Sequence, residues 1–479
     1  MPIIRIIVLY WDDFVAVRPV VLRKKLSIGY FTKEWFRARE MPQYGQLANT
    51  TVTKKIAVIF ILACLTPFRN EANDIPFSHG IMDLSGELLQ DRMLRLSGFW
   101  EFYPNQLLTP DSVDASLKYS YIQVPSWWAE ANGAVPVQYG TYRLRIVLSR
   151  EDRNRRLALD MPDVYCSYML WIDGQNMGGN GLVGVTKEAS KPKWCPTTYS
   201  FQPVSDTVEL VIQIANFYHH RTGIGEPLYL GDATLLLPQQ RMSLVSGTIL
   251  FVGLVCFALG ALIVYFMVKN NAIVFYSLLC LTWAFRGIFS NFYLSVQWFP
   301  DLDWYLCVRI EYITLYLSML FGTLLVGALF PRELNQMVKR FFIYASLCFT
   351  IFTLFVSPLI FTKFVQLYLG LSSALLIYLI IIIVRAYIES RQGASYLLMC
   401  LLLGVLMFAY VILAYEGVFE LNELFFNIGF LTLFLLTAGA MAIRIFRMST
   451  TYDYDSLTFE EVSKPREYPD FDGGLPRRK

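Results

Sequence analysis

SLVSGTILFVGLVCFALGALIVYFMV, Ser243 to Val268, carries no charged side chain and decides what kind of chain this is. A hydrocarbon core of roughly 30 Å takes about 20 helical residues at 1.5 Å each, and this run exceeds that. Six more apolar stretches follow at Ala272–Phe289, Trp304–Phe330, Phe341–Phe361, Val365–Val384, Ala394–Ala414 and Leu424–Ile445. Each reaches or nears the length of a span. The spacing therefore predicts an all-α seven-helix transmembrane domain over 243–447, with the lipid bilayer as its solvent. Composition agrees: the 479 residues are 55% hydrophobic and only 16% charged, which argues against a string of soluble domains. A net charge of +3 is too close to neutral to point to nucleic acid.

The connections between the runs alternate in sign. One set holds Lys269, then Arg332, Lys339 and Arg340, then Arg385 and Arg391, and finally Arg444 and Arg447. The other holds Asp301 and Asp303, Lys363, and then Glu416, Glu420 and Glu423. The positive-inside rule puts the first set in the cytoplasm, so the expected topology is N-terminal domain outside and C-terminus inside.

Charges inside spans are costly and mark structure or function. Arg286 lies about 21 Å up the second run, and Glu311 about 10 Å down the third, at 1.5 Å per residue. In a ~30 Å core the two reach nearly the same depth and can pair, with Arg309 a competitor nearer the outer surface. Such a pair either pins two helices or acts as a polar switch when the outer domain moves. A transporter would be expected to show related halves with Gly/Pro-broken helices, and no such repeat is visible.

Ahead of the spans, residues 1–72 read as an extension with a signal-like core. Lys54 and Lys55 precede the apolar run Ile56–Leu65, and Met41 is a candidate physiological start. From 73 to 238 the pattern becomes short alternations broken by Gly, Pro, Asn and Asp, the signature of an all-β sandwich. Tyr142, Leu144, Ile146 and Leu148 share one face while Arg143 and Arg145 take the other, and Val208, Leu210, Ile212 and Ile214 repeat the pattern. Gly179-x-Gly181-x-x-Gly184 spells a dinucleotide fingerprint, but Lys187, Ser190, Pro192 and Trp194 follow instead of a helix, so it reads as a flexible glycine loop. Cys166 and Cys195 are the two cysteines of this region. A disulfide between them is open if the region is extracytoplasmic, with free thiols the expected state.

Several segments together resemble the bacterial seven-transmembrane receptors with diverse intracellular signalling modules. In the β-region these are Leu96-Ser97-Gly98-Phe99-Trp100-Glu101-Phe102, Val124-Pro125-Ser126-Trp127-Trp128, Tyr139-Gly140-Thr141-Tyr142-Arg143-Leu144 and Ile214-Ala215-Asn216-Phe217-Tyr218-His219-His220. In the spans they are Phe299-Pro300, Arg309-Ile310-Glu311-Tyr312 and Phe330-Pro331. The resemblance covers roughly 75–448. It implies a jelly-roll, galactose-binding-like extracytoplasmic domain that senses a small molecule or glycan, and transmission to a cytoplasmic kinase or cyclase.

The chain departs from that family at its end. Residues 448–479 are too short and polar to bury a core and read as a disordered tail. Asp455-Ser456-Leu457-Thr458 resembles the opening of a diguanylate cyclase domain, while Thr458 and Glu461 also form a capping box. Output is therefore expected from a partner in trans, with a homodimer one open assembly.

Aromatic faces with a few polar groups suit a sugar, and Trp127, Trp128, Tyr139, Trp194, His219, His220 and Arg221 sit at apparent strand ends. Of the adjacent Trp127 and Trp128, one is expected in the core and one exposed. Trp128 and His219 are expected on the ligand face, Trp100 and Trp171 in the core. No nucleophile with its base, no carboxylate pair, and no metal or cofactor spacing emerges, so no enzymatic activity is expected. The leading function is a membrane sensory receptor. A membrane-tethered glycan-binding or envelope-scaffold protein comes second, and a transporter third.

Overall fold

The computed structural model describes residues 77–90, 92–113, 116–128, 137–290, 294–391, 393–415 and 422–463. The signal-like segment, the start at Met41 and the polar end of the tail lie outside the described residues.

The N-terminal part is β-rich. Its larger sheet is built on β7 (Tyr139–Val147) and β12 (Thr207–Ala215), which pair antiparallel over their whole length, Tyr139 opposite Ala215 and Val147 opposite Thr207. β9 (Ser167–Ile172) and β10 (Gln175–Asn180) extend it beyond β12. On the other side, β7 is shared. β4 (Gly98–Pro104) pairs with its first half and carries β5 (Ser120–Val124), while the short β2 (Ile81–Asp83) runs parallel to its second half. A second antiparallel sheet holds β11 (Thr197–Phe201), β8 (Leu157–Met161), β14 (Tyr229–Asp232) and β3 (Met93–Arg95), in that order.

The period-two alternation sets what lies between the sheets. Tyr142, Leu144, Ile146, Leu210, Ile212 and Leu170 from the first sheet meet Leu157, Leu159, Met161 and Leu230 from the second, all within 1% of complete burial. Full burial of each such side chain contributes about 1.5–3 kcal/mol. Trp100 belongs to this core, as expected, but Trp171 is only half-buried. It lies on the outer side of β9, one residue out of phase with the buried Leu170 and Ile172.

The helical part follows without a linker. Asp232 ends β14 and caps α1 (Ala233–Val268), its carboxylate accepting the Thr234 amide at 2.8 Å. The helix begins ten residues before the Ser243 expected from hydropathy, because Ala233 and Leu236 bury themselves against Ala158 of β8. That packing outweighs the one backbone bond lost at Pro238, so α1 runs as a single rod from the sheets into the membrane part.

The remaining long helices are α2 (Asn271–Ser290), α3 (Trp304–Leu329), α4 (Gln336–Phe355), α5 (Val365–Ile388), α6 (Ala394–Tyr415) and α7 (Glu423–Ser463). Six of the seven are long and apolar enough to cross a bilayer, and α6 adds a shorter apolar stretch, Ala394–Met407. This is a multi-pass membrane protein. The run expected at Phe341–Phe361 is broken: α4 ends at Phe355, Ser357 is extended, and Pro358 opens a separate turn, Pro358–Phe361. α7 continues well past residue 447, to Ser463.

Polar side chains tie the helices together. Asn427 on α7 donates to Ser246 on α1 at 2.9 Å, Ser277 on α2 to the Ala258 carbonyl of α1 at 2.9 Å, and Tyr276 on α2 to the Phe434 carbonyl of α7 at 2.9 Å.

Candidate functional site at the junction of sheets and helices

The loop after β12 makes the site. Asn216, 2% exposed, organises it: its Oδ1 accepts the amides of Tyr218 at 3.1 Å and His219 at 2.9 Å and the Cys166 thiol at 2.9 Å. Its Nδ2 donates to the His219 carbonyl at 3.1 Å and to that of Arg221. One buried amide thus satisfies a turn that would otherwise bury bare backbone groups.

The turn presents His219 to its neighbours on every side. Its ring stacks on Tyr165 at 4.1 Å with planes 2° apart. Nδ1 accepts the Arg221 amide at 3.1 Å, and therefore carries no proton. The neutral ring then holds its proton on Nε2, which reaches the Tyr312 hydroxyl of α3 at 3.3 Å. Trp194 packs edge-on against both Tyr165 (5.6 Å) and Trp304 (5.4 Å), the first residue of α3. These rings form one buried cluster with Trp127, Phe289, Cys307, Tyr316, Phe361 and Tyr368. β-region and helices share a core here. Charged groups border it: Asp163 and Glu226 are each 8% exposed, and with Arg221 and Glu311 their fields act on Tyr165.

The seven candidate binding residues fall in different places. Trp127, Trp194 and His219, all at most 9% exposed, are inside the junction instead of on an open face. Arg221 lies 5.3 Å over the Trp127 ring. Tyr139 is half-buried and stacks on Phe217 at 6.4 Å. His220 is exposed, its amide donating to Thr362 Oγ1 at 3.3 Å in the α4–α5 connection. Trp128 is the clearest correction. It is 2% exposed within the β-core, with Nε1 donating to the Tyr142 hydroxyl, so the expected surface position does not hold. The two adjacent tryptophans do point to opposite sides, but both sides are filled.

The physical reason is the segment Gly223-Ile224-Gly225 opposite them. A Cβ on Gly223 would meet Trp128 Cδ1 at 2.8 Å, and one on Gly225 would fall within 2.0 Å of the Trp127 ring. Glycine at both places lets the backbone close over the two indoles. That Gly-x-Gly spacing was the signal available in the sequence. Asn216 and Tyr312 lie in segments that carry the family resemblance, while Tyr165 and Trp304 had no such signal. Cys166 and Cys195 are free thiols, and burial raises that of Cys166 well above the usual thiol range.

Arg286 and Glu311 do come together, 2% and 4% exposed. Arg286 Nη1 donates to the Glu311 backbone carbonyl at 2.7 Å. Arg309 is directed elsewhere: it donates to the Thr353 carbonyl at 3.3 Å and lies near that of Val356, at the C-terminus of α4. A cation is favourable there because the last carbonyls of a helix lack partners.

Burial, then the charges of Arg221 and His220, hold the His219 imidazole well below its usual pKa. Burial, then Lys363 and Arg221, lower His220 in the same sense. An unfolded imidazole takes a proton near pH ~6.5 that the folded one refuses, so the stabilisation is complete above that value and is lost as pH falls below it. The melting temperature of the full chain should drop on acidification from about pH 7.5 to about pH 5, and His219→Gln should flatten that drop. An unchanged slope in the variant would remove His219 from the account.

No curated protein matches the chain. Solved structures similar to it include β-glucuronidases from Bacteroides uniformis (16% identity, covering 29% of this chain and 17% of that one), from an uncultured Clostridium species (14%, 29% and 28%) and from Ruminococcus gnavus (14%, 29% and 27%). The chain thus spans under a third of the length of these enzymes, and at a TM-score of 0.23 in each case the likeness carries no argument about fold or activity. The helical part is different: residues 243–444 match the family described as 7TM diverse intracellular signalling. With its apolar helices, its polar ties and this match, the membrane part of the chain is similar to the seven-transmembrane receptor family with diverse intracellular signalling modules.

Proposed function

We propose that the chain is a sensory receptor of the bacterial inner membrane. In this reading the β-region is a galactose-binding-like jelly roll outside the cytoplasm that takes a small molecule or glycan. The helices pass the resulting shift to a kinase or cyclase acting in trans. The observation that carries the reading is the shared core at the junction. His219 and Trp194 of the β-region pack directly on Tyr312 and Trp304 of α3, so a movement of the Asn216–Arg221 turn cannot leave α3 unaffected. Trp127, Trp194 and His219 then relay the signal. An open depression lined by Glu87, Ser149, Arg150, Glu151 and Asp206 lies at the other end of β7 and β12, where a ligand has access.

The test is a thermal-shift screen of glycans and small molecules on the full chain in nanodiscs, followed by hydrogen exchange with each hit. A receptor predicts altered protection both in 216–221 and in the first turns of α3. A ligand that stabilises the β-region and leaves α3 unchanged would instead favour a membrane-tethered glycan-binding protein.

The orientation has its own test. The lysine and arginine bias of the connections predicts that a reporter fused after Ala233 reads outside and one after Met448 inside. A cytoplasmic signal at Ala233 would overturn the receptor reading as a whole.

A further inference from the structure

The loop between β10 and β11 takes no part in the relay, yet it is firmly held. Leu182 and Lys191 exchange backbone bonds of 2.8 and 2.9 Å across its base, and the Ser190 amide donates to the Thr186 carbonyl at 3.1 Å. The Tyr218 hydroxyl donates to the Ser190 carbonyl at 3.1 Å, and the Tyr218 ring packs on Trp304 at 6.1 Å and Tyr305 at 6.0 Å. So the loop is ordered, not the flexible one expected, and it is fastened to the first turn of α3. That turn is where a spanning helix enters the bilayer, and Trp and Tyr there occupy the headgroup level.

Two apolar side chains stand out from this loop, Leu182 at 48% and Val185 at 53% exposed. Around them are Lys187, Lys191 and Lys193 against the single acid Glu188, a local excess of two positive charges (three minus one). Lys187 and Lys191 are exposed. Apolar tips flanked by lysines at headgroup level match an interfacial contact: the tips enter the acyl boundary while the lysine stems lie along it with their ammonium groups in the phosphate layer.

We propose that the 181–191 loop docks on the surface of the bilayer leaflet on the β-region's own side, and that its lysines select anionic phospholipid there. The contact fixes the height and tilt of the β-region over the helices, so the membrane is a second ligand of the receptor. The inference rests on the multi-pass membrane fold and not on the ligand reading. It stands if no glycan is ever found.

The experiment uses the full chain with the photoreactive p-benzoylphenylalanine at Val185 or, as control, at Val204. The latter is 74% exposed and lies beside Asp206 at the opposite end of the sheet. Both positions are on the surface, so neither replacement disturbs the core. In nanodiscs of phosphatidylcholine with added phosphatidylglycerol, the Val185 probe should form lipid adducts and the Val204 probe should not. Each net positive charge is expected to raise the yield about fivefold over phosphatidylcholine alone. The K187Q/K191Q variant should abolish that lipid preference while retaining its melting temperature. No adduct at 185, equal adducts at 185 and 204, a yield indifferent to phosphatidylglycerol, or cross-links to a second copy of the chain would each overturn the proposal.

Discussion

Arg286→Ala should be the most damaging single replacement in the helical part, costing about 3–5 kcal/mol by the measure of broken buried ion pairs. Arg286 is 2% exposed on α2 and donates to the carbonyl of Glu311 on α3, and the Glu311 side chain is itself 4% exposed. Removing the guanidinium leaves the buried Glu311 side chain without the charge that acts on it most strongly. The carbonyl keeps a second donor, Thr314 Oγ1 at 2.8 Å, so the penalty falls mainly on the charge. Two further variants separate the contributions. Glu311→Ala should partly rescue Arg286→Ala, since it takes away the stranded charge. Glu311→Gln leaves the carbonyl acceptor in place and removes only the ionic part. Detergent-induced unfolding of the four variants in a double-mutant cycle gives the coupling, and strictly additive losses would show that the two side chains do not interact.

The nearness of Arg286 to Glu311, though not a bond between their side chains, was legible in the sequence from their depth. Two charges on neighbouring spans at nearly equal height have few other partners inside a bilayer, and Arg309 could be set apart only once α4 was seen to end beside it. What depth cannot supply is the acceptor: a guanidinium reaches a backbone carbonyl as readily as a carboxylate. The β-strands were legible for a similar reason. The alternation of Tyr142, Leu144 and Ile146 against Arg143 and Arg145 has one interpretation once a core lies on one side. The start of α1 was not. Pro238 marks a boundary on propensity grounds, and only the packing of Ala233 and Leu236 on Ala158 overrides it. Trp127, Trp194 and His219 are not on an open surface, although Gly-, Asn- and Pro-rich connections usually face water. Here the end of the sheets carrying Asn216–Arg221 is capped by α3. Sequence periodicity shows which side of a strand is buried, but not which end of a sandwich a second domain covers.

Trp128→Ala should destabilise the β-region by about 3–5 kcal/mol, as should Trp100→Ala, because both side chains are enclosed and their removal opens a cavity. Trp128 packs against Phe102 at 5.3 Å and Tyr142 at 6.2 Å, and Trp100 meets Tyr142 edge-on at 6.4 Å from the other side. This inverts the sequence expectation, in which Trp128 lay on the ligand face and Trp100 in the core. The conservative replacements should then diverge. Trp128 Nε1 donates to the Tyr142 hydroxyl, whereas Trp100 Nε1 is buried without a hydrogen-bond partner among the described residues. Phenylalanine at 128 gives up a hydrogen bond worth about 1 kcal/mol in addition to the lost ring volume. At 100 the same change removes a donor that the fold leaves unsatisfied, which offsets part of the volume loss. Trp100→Phe should therefore melt above Trp128→Phe, with both well above their alanine counterparts. The melting transitions of the four variants in the full chain, followed by near-ultraviolet circular dichroism, provide the comparison. If Trp128→Ala melts with the unaltered chain, the indole is not packed as described, and the surface role expected from the sequence would return.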